Sequence, residues 1–257
     1  MRLKETSIKR NFVYKSILTV SGYLVAFIIF PYVSRILGVS NVGLVNFVDN
    51  TLQYFLLFAS MGINVLGVRE IARVKDNLQE RNKVFSNLIG VNLLFTLLTL
   101  AAYLIIVSSS PQLSQYKELF YTGSAKILFT AFLIEWFYTG LEDFRYITIR
   151  SVAVKLLYVF SIFLLVRGPQ DYEIYFYLTV AMTVVNAVIV SVLGKFMLGA
   201  GSSLIFLLLL SVGLCIVAVI VGGIISDIRY RHSISEMNRR LKQFNSLTGD
   251  SDLSDGE

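Results

Sequence analysis

Five stretches of this chain carry no charged side chain: Ser16–Ser34, Asn50–Val68, Val84–Tyr116, Ile174–Gly194 and Phe196–Ser226. An apolar run of about 18 residues or more is long enough to cross a bilayer core of roughly 30 Å as a helix. A soluble fold has no room for so many such runs, because a helix in contact with water needs a polar face. Basic and nearly neutral loops alternate between them. The expected fold class is therefore all-α, a polytopic transmembrane helix bundle. Only 16% of the 257 residues are charged, against about a quarter in soluble domains. The net charge of +6 then reads as loop charge retained on one side of a membrane, not as affinity for nucleic acid. The first apolar run continues to Arg35 without a small-residue cleavage site, which marks a retained span and not a removed signal peptide. Cys215 and His232 are the single cysteine and histidine, which excludes a Cys/His metal cluster and an intrachain disulfide framework. No cofactor is expected.

Spans are expected near 12–34, 43–66, 84–108, 119–141, 149–166, 174–194 and 203–226. The implied organisation is a six-span lobe over 1–195, an extra apolar span over 196–226, and a tail over 227–257. That tail combines a basic amphipathic helix with an acidic end. Lys155 falls inside the fifth span and is expected to snorkel toward the nearer interface. Arg2, Lys4, Lys9, Arg10 and Lys15 precede the first span, and Arg69, Arg73, Lys75, Arg81 and Lys83 follow the second. Arg145, Arg150 and Lys155 follow the fourth, whereas the three opposite loops hold only Arg35, Lys117 and Arg167. By the positive-inside rule the N-terminus is cytoplasmic and the first six spans form three hairpins. The seventh span breaks this rhythm, because the tail after it holds Arg229, Arg231, Arg239, Arg240 and Lys242. Aromatic content falls at the same place: beyond residue 198 only Phe206, Tyr230 and Phe244 remain.

Polar residues inside apolar spans are costly, so they mark candidate sites. Asn46, Asp49, Asn50 and Gln53 follow the i, i+3, i+4, i+7 spacing of one helix face, and Ser60 and Asn64 extend the stripe. Such a face points to a watery cavity; the competing reading is hydrogen bonding that holds helices together. In the fourth span, Thr122, Lys126 and Thr130 share a face. Glu135 lies nine residues beyond Lys126, close to the opposite side of a continuous helix, so the two are not expected to pair directly. Glu135 precedes Trp136, where an interfacial anchor is the competing explanation. Thr179, Thr183 and Asn186 form a weaker face that suits packing. Arg35 follows Pro31, a proline expected to kink its helix. An arginine there suits either bidentate phosphate binding or a membrane boundary. No nucleophile elbow, phosphate-binding glycine loop or His-based pair occurs in the sequence, so nothing supports an enzyme.

Three stretches carry a resemblance: PYVSRILGVSNVG (31–43), GINVLGVREIAR (62–73) and EWFYTGLEDFRYITIR (135–150). Over roughly residues 8–190 the chain resembles the bacterial polysaccharide flippases of the O-antigen and capsule type. That family is part of the MATE-like superfamily, with the MATE drug exporters and the lipid II flippases. The resemblance implies translocation of an undecaprenyl-diphosphate-linked oligosaccharide across the bacterial inner membrane by alternating access. It also implies two six-helix lobes around a cationic cavity, so a second lobe or a second copy is an expected partner, beside membrane lipids. Arg35 and Gly38 match the first motif, Arg69 the second, and Glu135, Trp136, Gly140 and Glu142 the third. The candidate substrate-binding set is then Arg35, Asp49, Asn50, Gln53, Lys126 and Glu135. In this set Arg35 and Lys126 would offset diphosphate charge, and Asp49 would be the titratable group for ion coupling. The alternatives are a MATE-like small-molecule exporter and a non-transporting membrane anchor or partner protein.

Overall fold

The computed structural model describes residues 8–110, 113 and 116–198, with side chains followed to residue 191. The span expected at 203–226 and the tail at 227–257 lie outside the described residues. Among the described residues seven α-helices follow one another: α1 (Ile8–Ser60), α2 (Ile63–Arg73), α3 (Leu78–Ser109), α4 (Lys117–Thr130), α5 (Glu135–Gly140), α6 (Phe144–Leu165) and α7 (Tyr172–Leu198). A short 3-10 turn, Pro169–Asp171, precedes α7. No strand occurs among the described residues, in keeping with the all-α expectation.

Pairs of distant residues fix the direction of each helix. Thr148 Oγ1 donates to Tyr14 O (3.0 Å) and Tyr32 Oη donates to Val166 O (2.9 Å), so the first part of α1 runs parallel to α6. Asn41 Nδ2 then bonds Pro169 O at 2.7 Å, while Ser60 borders the same cavity as Asn186. The second part of α1 therefore runs back alongside α7. The reversal sits at Gly38, whose φ of 78° and ψ of 163° leave the helical region. Only glycine adopts that conformation without steric cost. The two parts, residues 8–37 and 39–60, are roughly 45 Å and 33 Å long at 1.5 Å per residue, each enough for one crossing.

We call the end holding Tyr14 and Thr148 proximal and the end holding Gly38 and Gly168 distal. α3 climbs from proximal, where Phe85 packs on Trp136 and Phe137, to distal, where Tyr103 Oη donates to Phe120 O at 2.7 Å. The described residues thus pass between the ends six times: twice in α1, then in α3, in α4 with α5, in α6 and in α7. Four described stretches are long and apolar enough to cross a membrane: Ile8–Arg73, Leu78–Ser109, Phe144–Leu165 and Pro169–Ser191. The first of these includes α2 and both parts of α1.

Three expectations need correction. Pro31 keeps helical dihedrals, and the break in α1 falls at Gly38. The second span, expected to reach residue 66, ends at Ser60; Met61 (φ 38°) and Gly62 (φ 76°) turn the chain, and α2 begins anew. The fourth span is interrupted: α4 has 14 residues, and Ala131–Ile134 separate it from α5. Neither glycine nor proline causes that interruption. Its carbonyls are satisfied from other helices, Ala131 O by Asn92 Nδ2 (3.1 Å) and Phe132 O by Ser191 Oγ (3.2 Å). Inside a membrane a broken helix persists only where freed backbone groups find such partners. Within α6, Lys155 is held against α1. Its ammonium donates to Leu18 O (3.1 Å) and Ser21 Oγ (2.9 Å), pinning α6 to α1.

The second and third sequence motifs meet at the proximal end. α2 buries Ile63, Gly67 and Ile71 at four-residue intervals. A Cβ on Gly67 would lie 2.5 Å from Trp136 Cε3, and one on Gly140 would lie 2.9 Å from Ile71 Cβ. These glycines are what let α2 and α5 approach so closely. Phe85, Trp136, Phe137, Tyr138 and Ile147 complete this core.

Candidate functional site

Among the described residues, two polar centres stand out in the interior. The first lies where α1, α4 and α7 meet. The buried Val45, Val48 and Leu52 turn one face of α1 inward, and Asn46, Asn50 and Gln53 are left exposed on the other side. Asp49 sits between the two faces and forms an ion pair with Lys126 of α4. The Lys126 side chain is 7% exposed and that of Asp49 33%. The ammonium also lies 5.5 Å from the centre of the Phe176 ring, a cation–π contact. Gly123, one turn before Lys126, lets Leu52 approach; a Cβ there would be 2.6 Å from Leu52 Cδ1. A cation buried among apolar groups is retained only with a counter-charge, and Asp49 supplies it from the side that opens outward.

The second centre lies at the proximal side of the α4–α5 break. A cavity of about 470 Å³ is lined by Ser60, Asn64, Asn92, Thr130, Glu135, Trp136 and Asn186, among others. Glu135 pairs with Arg150 of α6, whose side chain is 4% exposed. Arg150 also stands 5.7 Å from the Tyr146 ring. Asn92 Oδ1, Asn186 Oδ1 and Trp136 Nε1 are buried and find no partner among the described residues.

The six expected site residues are thus not one cluster. Asp49 and Lys126 are paired, and Asn50 and Gln53 flank Asp49 on the exposed face. Glu135 belongs to the second centre. As expected, it does not pair with Lys126, although the helix joining them is broken. Arg35 is exposed, just before the Gly38 reversal. It is 14 residues from Asp49 in sequence and joins neither centre. Arg69, from the second motif, is exposed beside Glu70 at 3.1 Å. Glu142, from the third, adopts a positive φ of 60° and faces Lys75 at 3.6 Å. Asn92 and the buried role of Arg150 were missed. A signal for Asn92 did exist: Asn92 and Thr96 stand one turn apart within a charge-free run, and both are buried. Arg150 counts as a loop charge in sequence, and only the fold shows it beneath Glu135.

Large apolar side chains, among them Phe27, Phe30 and Phe160, remain exposed around these polar centres. Apolar outside and polar inside is the distribution of a protein embedded in lipid, and the fold defines a polytopic helical membrane protein. The chain belongs to the family described as polysaccharide biosynthesis protein, whose model matches residues 8–200. It is 23% identical over 174 residues to an Escherichia coli (strain K12) protein bearing the description "Putative O-antigen transporter", covering 68% of this chain and 42% of that one. A Shigella dysenteriae protein with the same description is 28% identical over 163 residues, covering 63% and 41%. The chain spans less than half the length of these relatives. No solved structure matches it.

Proposed function

We propose that this chain is a lobe of a transporter that moves a polyprenyl-diphosphate-linked oligosaccharide across the bacterial inner membrane during polysaccharide biosynthesis. The observation that carries the reading is the Lys126–Asp49 pair, a buried cation whose counter-ion stands a third exposed. A diphosphate arriving on the Asn50 and Gln53 side meets Asp49 first. By displacing Asp49 it takes over Lys126, so a buried charge is compensated before and after. Lys126 acts as a charge held in reserve, Asp49 as the leaving counter-ion, and Asn50 and Gln53 as hydrogen-bonding groups beside it. The work is binding and movement, with no covalent step. Arg35 serves at the distal boundary.

Charge segregation supports a cytoplasmic N-terminus. Arg69, Arg73 and Lys75 lie at the proximal end with Tyr14, whereas Arg35 and Arg167 lie at the distal end. The exposed polar stripe of α1 is suited to face a second lobe across the cavity.

Proteoliposomes containing the chain test the proposal. A fluorescent diphosphate-linked oligosaccharide added to one leaflet should become inaccessible to an impermeant glycosidase, and Lys126→Ala should abolish the effect. A rate equal to that of protein-free liposomes would refute transport by this chain.

A further inference from the structure

We infer that Arg69 and Arg73 of α2 form a binding site for the headgroup phosphate of one anionic phospholipid, taken from the leaflet at the proximal end. Such a site depends on the membrane-embedded fold alone and not on transport. The outward face of α2 carries it. Ile63, Gly67 and Ile71 turn one side of the helix to the core. Val65, Leu66, Arg69 and Arg73 fall within about 100° of one another on the other side. All four are exposed: Val65 by 79% and Leu66 by 41%, and the side chains of Arg69 and Arg73 by 63% and 64%. Along the axis the two apolar residues come first and the arginines follow, Arg73 about 12 Å beyond Val65. Apolar and then basic is the order in which a helix meets acyl chains and then anionic headgroups.

The level in the membrane agrees. Gly140 packs on α2, where a Cβ would lie 2.9 Å from Ile71 Cβ and 3.0 Å from Val68 O. Four residues after Gly140, Phe144 opens the membrane-crossing stretch Phe144–Leu165. Ile71, with an arginine two residues to either side of it, therefore stands where that crossing starts. Charge narrows the ligand. Arg69 Nη2 and Arg73 Nη1 both reach Glu70 Oε1, at 3.1 and 3.2 Å, so two guanidinium groups share one carboxylate and keep a single positive charge in surplus. Lys75, by contrast, faces Glu142 one to one at 3.6 Å. Exposed pairs of this kind hold weakly, and a guanidinium fork matches the oxygens of a phosphate. The surplus charge equals that of one phosphodiester, and the apolar residues before it suit acyl chains. A diphosphate brings more negative charge than the cluster lacks.

Trp136 is the only tryptophan of the chain and packs on Gly67 of α2, so energy transfer from it reports a fluorescent lipid at this helix. Purified full-length protein in a maltoside detergent is titrated with dansyl-labelled phosphatidylglycerol. Transfer should saturate, and unlabelled phosphatidylglycerol should compete while phosphatidylcholine should not. Arg69→Gln combined with Arg73→Gln, with an unchanged circular dichroism spectrum, should raise the half-saturating concentration about thirtyfold, as two headgroup contacts of ordinary strength imply. Glu70→Gln, which removes the competing carboxylate, should tighten binding, and Lys75→Gln should leave it unchanged. Equal competition by the two lipids, an unchanged titration in the double arginine variant, or weaker binding by Glu70→Gln would each overturn the site. Competition by inorganic diphosphate and none by phosphatidylglycerol would overturn it in favour of a diphosphate site.

Discussion

Removing either member of the Lys126–Asp49 pair should destabilise the chain by different amounts, Asp49→Asn the more, because the two side chains are buried unequally. Asp49→Asn strands an ammonium that is 7% exposed. Breaking a buried pair in this way costs about 3–5 kcal/mol. The asparagine oxygen still accepts one hydrogen bond, which places the loss near the lower end, about 3 kcal/mol. Lys126→Met strands a carboxylate that is 33% exposed and therefore remains partly hydrated. Its cost falls between the exposed and buried limits, about 1–2 kcal/mol. The lost contact with Phe176 adds about 0.5–1 kcal/mol. The double variant strands nothing and places a hydrophobic side chain in an apolar setting, so it should cost less than Asp49→Asn alone. A coupling energy of about 2–3 kcal/mol follows, within the range of contacting residues. Unfolding free energies in mixed micelles with increasing dodecyl sulfate, read by circular dichroism, supply all four corners of the cycle. A larger loss for Lys126→Met than for Asp49→Asn, or a double variant equal to the sum of the two single losses, would refute this ordering.

The glycine contacts give a second prediction. Gly67→Ala drives a methyl group to 2.5 Å from Trp136 and should cost about 1–3 kcal/mol, with a shift of tryptophan emission as the local signature. Gly90→Ala, where a Cβ meets nothing within 4 Å, should be neutral or mildly stabilising by up to about 1 kcal/mol in the same assay. Tyr103→Phe removes the 2.7 Å bond to Phe120 O and should lower the unfolding free energy by about 0.5–1.5 kcal/mol. Glu135→Gln should destabilise more than Arg150→Met in the same micelle titration, because it strands a guanidinium that is 4% exposed. Arg150→Met deletes the cation–π contact with Tyr146 and the bond to Ser151, but leaves a Glu135 carboxylate that is 45% exposed and stays hydrated.

Much of the architecture can be read from the chain because membrane burial is a one-dimensional rule. Charge-free runs and basic loops depend on local composition, and six passes of helix follow from them. The turning points are less legible. Pro31 is the obvious disruptor of α1, yet Gly38 makes the reversal, because proline still permits helical dihedrals and only glycine accepts a φ of 78° there. The α4–α5 break is invisible in Ala-Phe-Leu-Ile. It depends on Asn92 and Ser191, 39 and 59 residues away from the carbonyls they meet. The candidate site shows the same division. Asp49 and Lys126 stand out as charges in apolar spans, but their pairing across 77 residues is a property of the fold. Asn186 reads as packing and Arg150 as a loop charge until α3, α5, α6 and α7 converge around Glu135.

Lys126 is the group proposed to receive a diphosphate. The most direct test is the equilibrium binding of a polyprenyl-diphosphate-linked oligosaccharide to the purified chain, wild type beside Lys126→Ala and the double variant Asp49→Asn/Lys126→Met. Binding by the wild type alone, with displacement by free diphosphate, is the result the account predicts. Equal binding by all three proteins would contradict it.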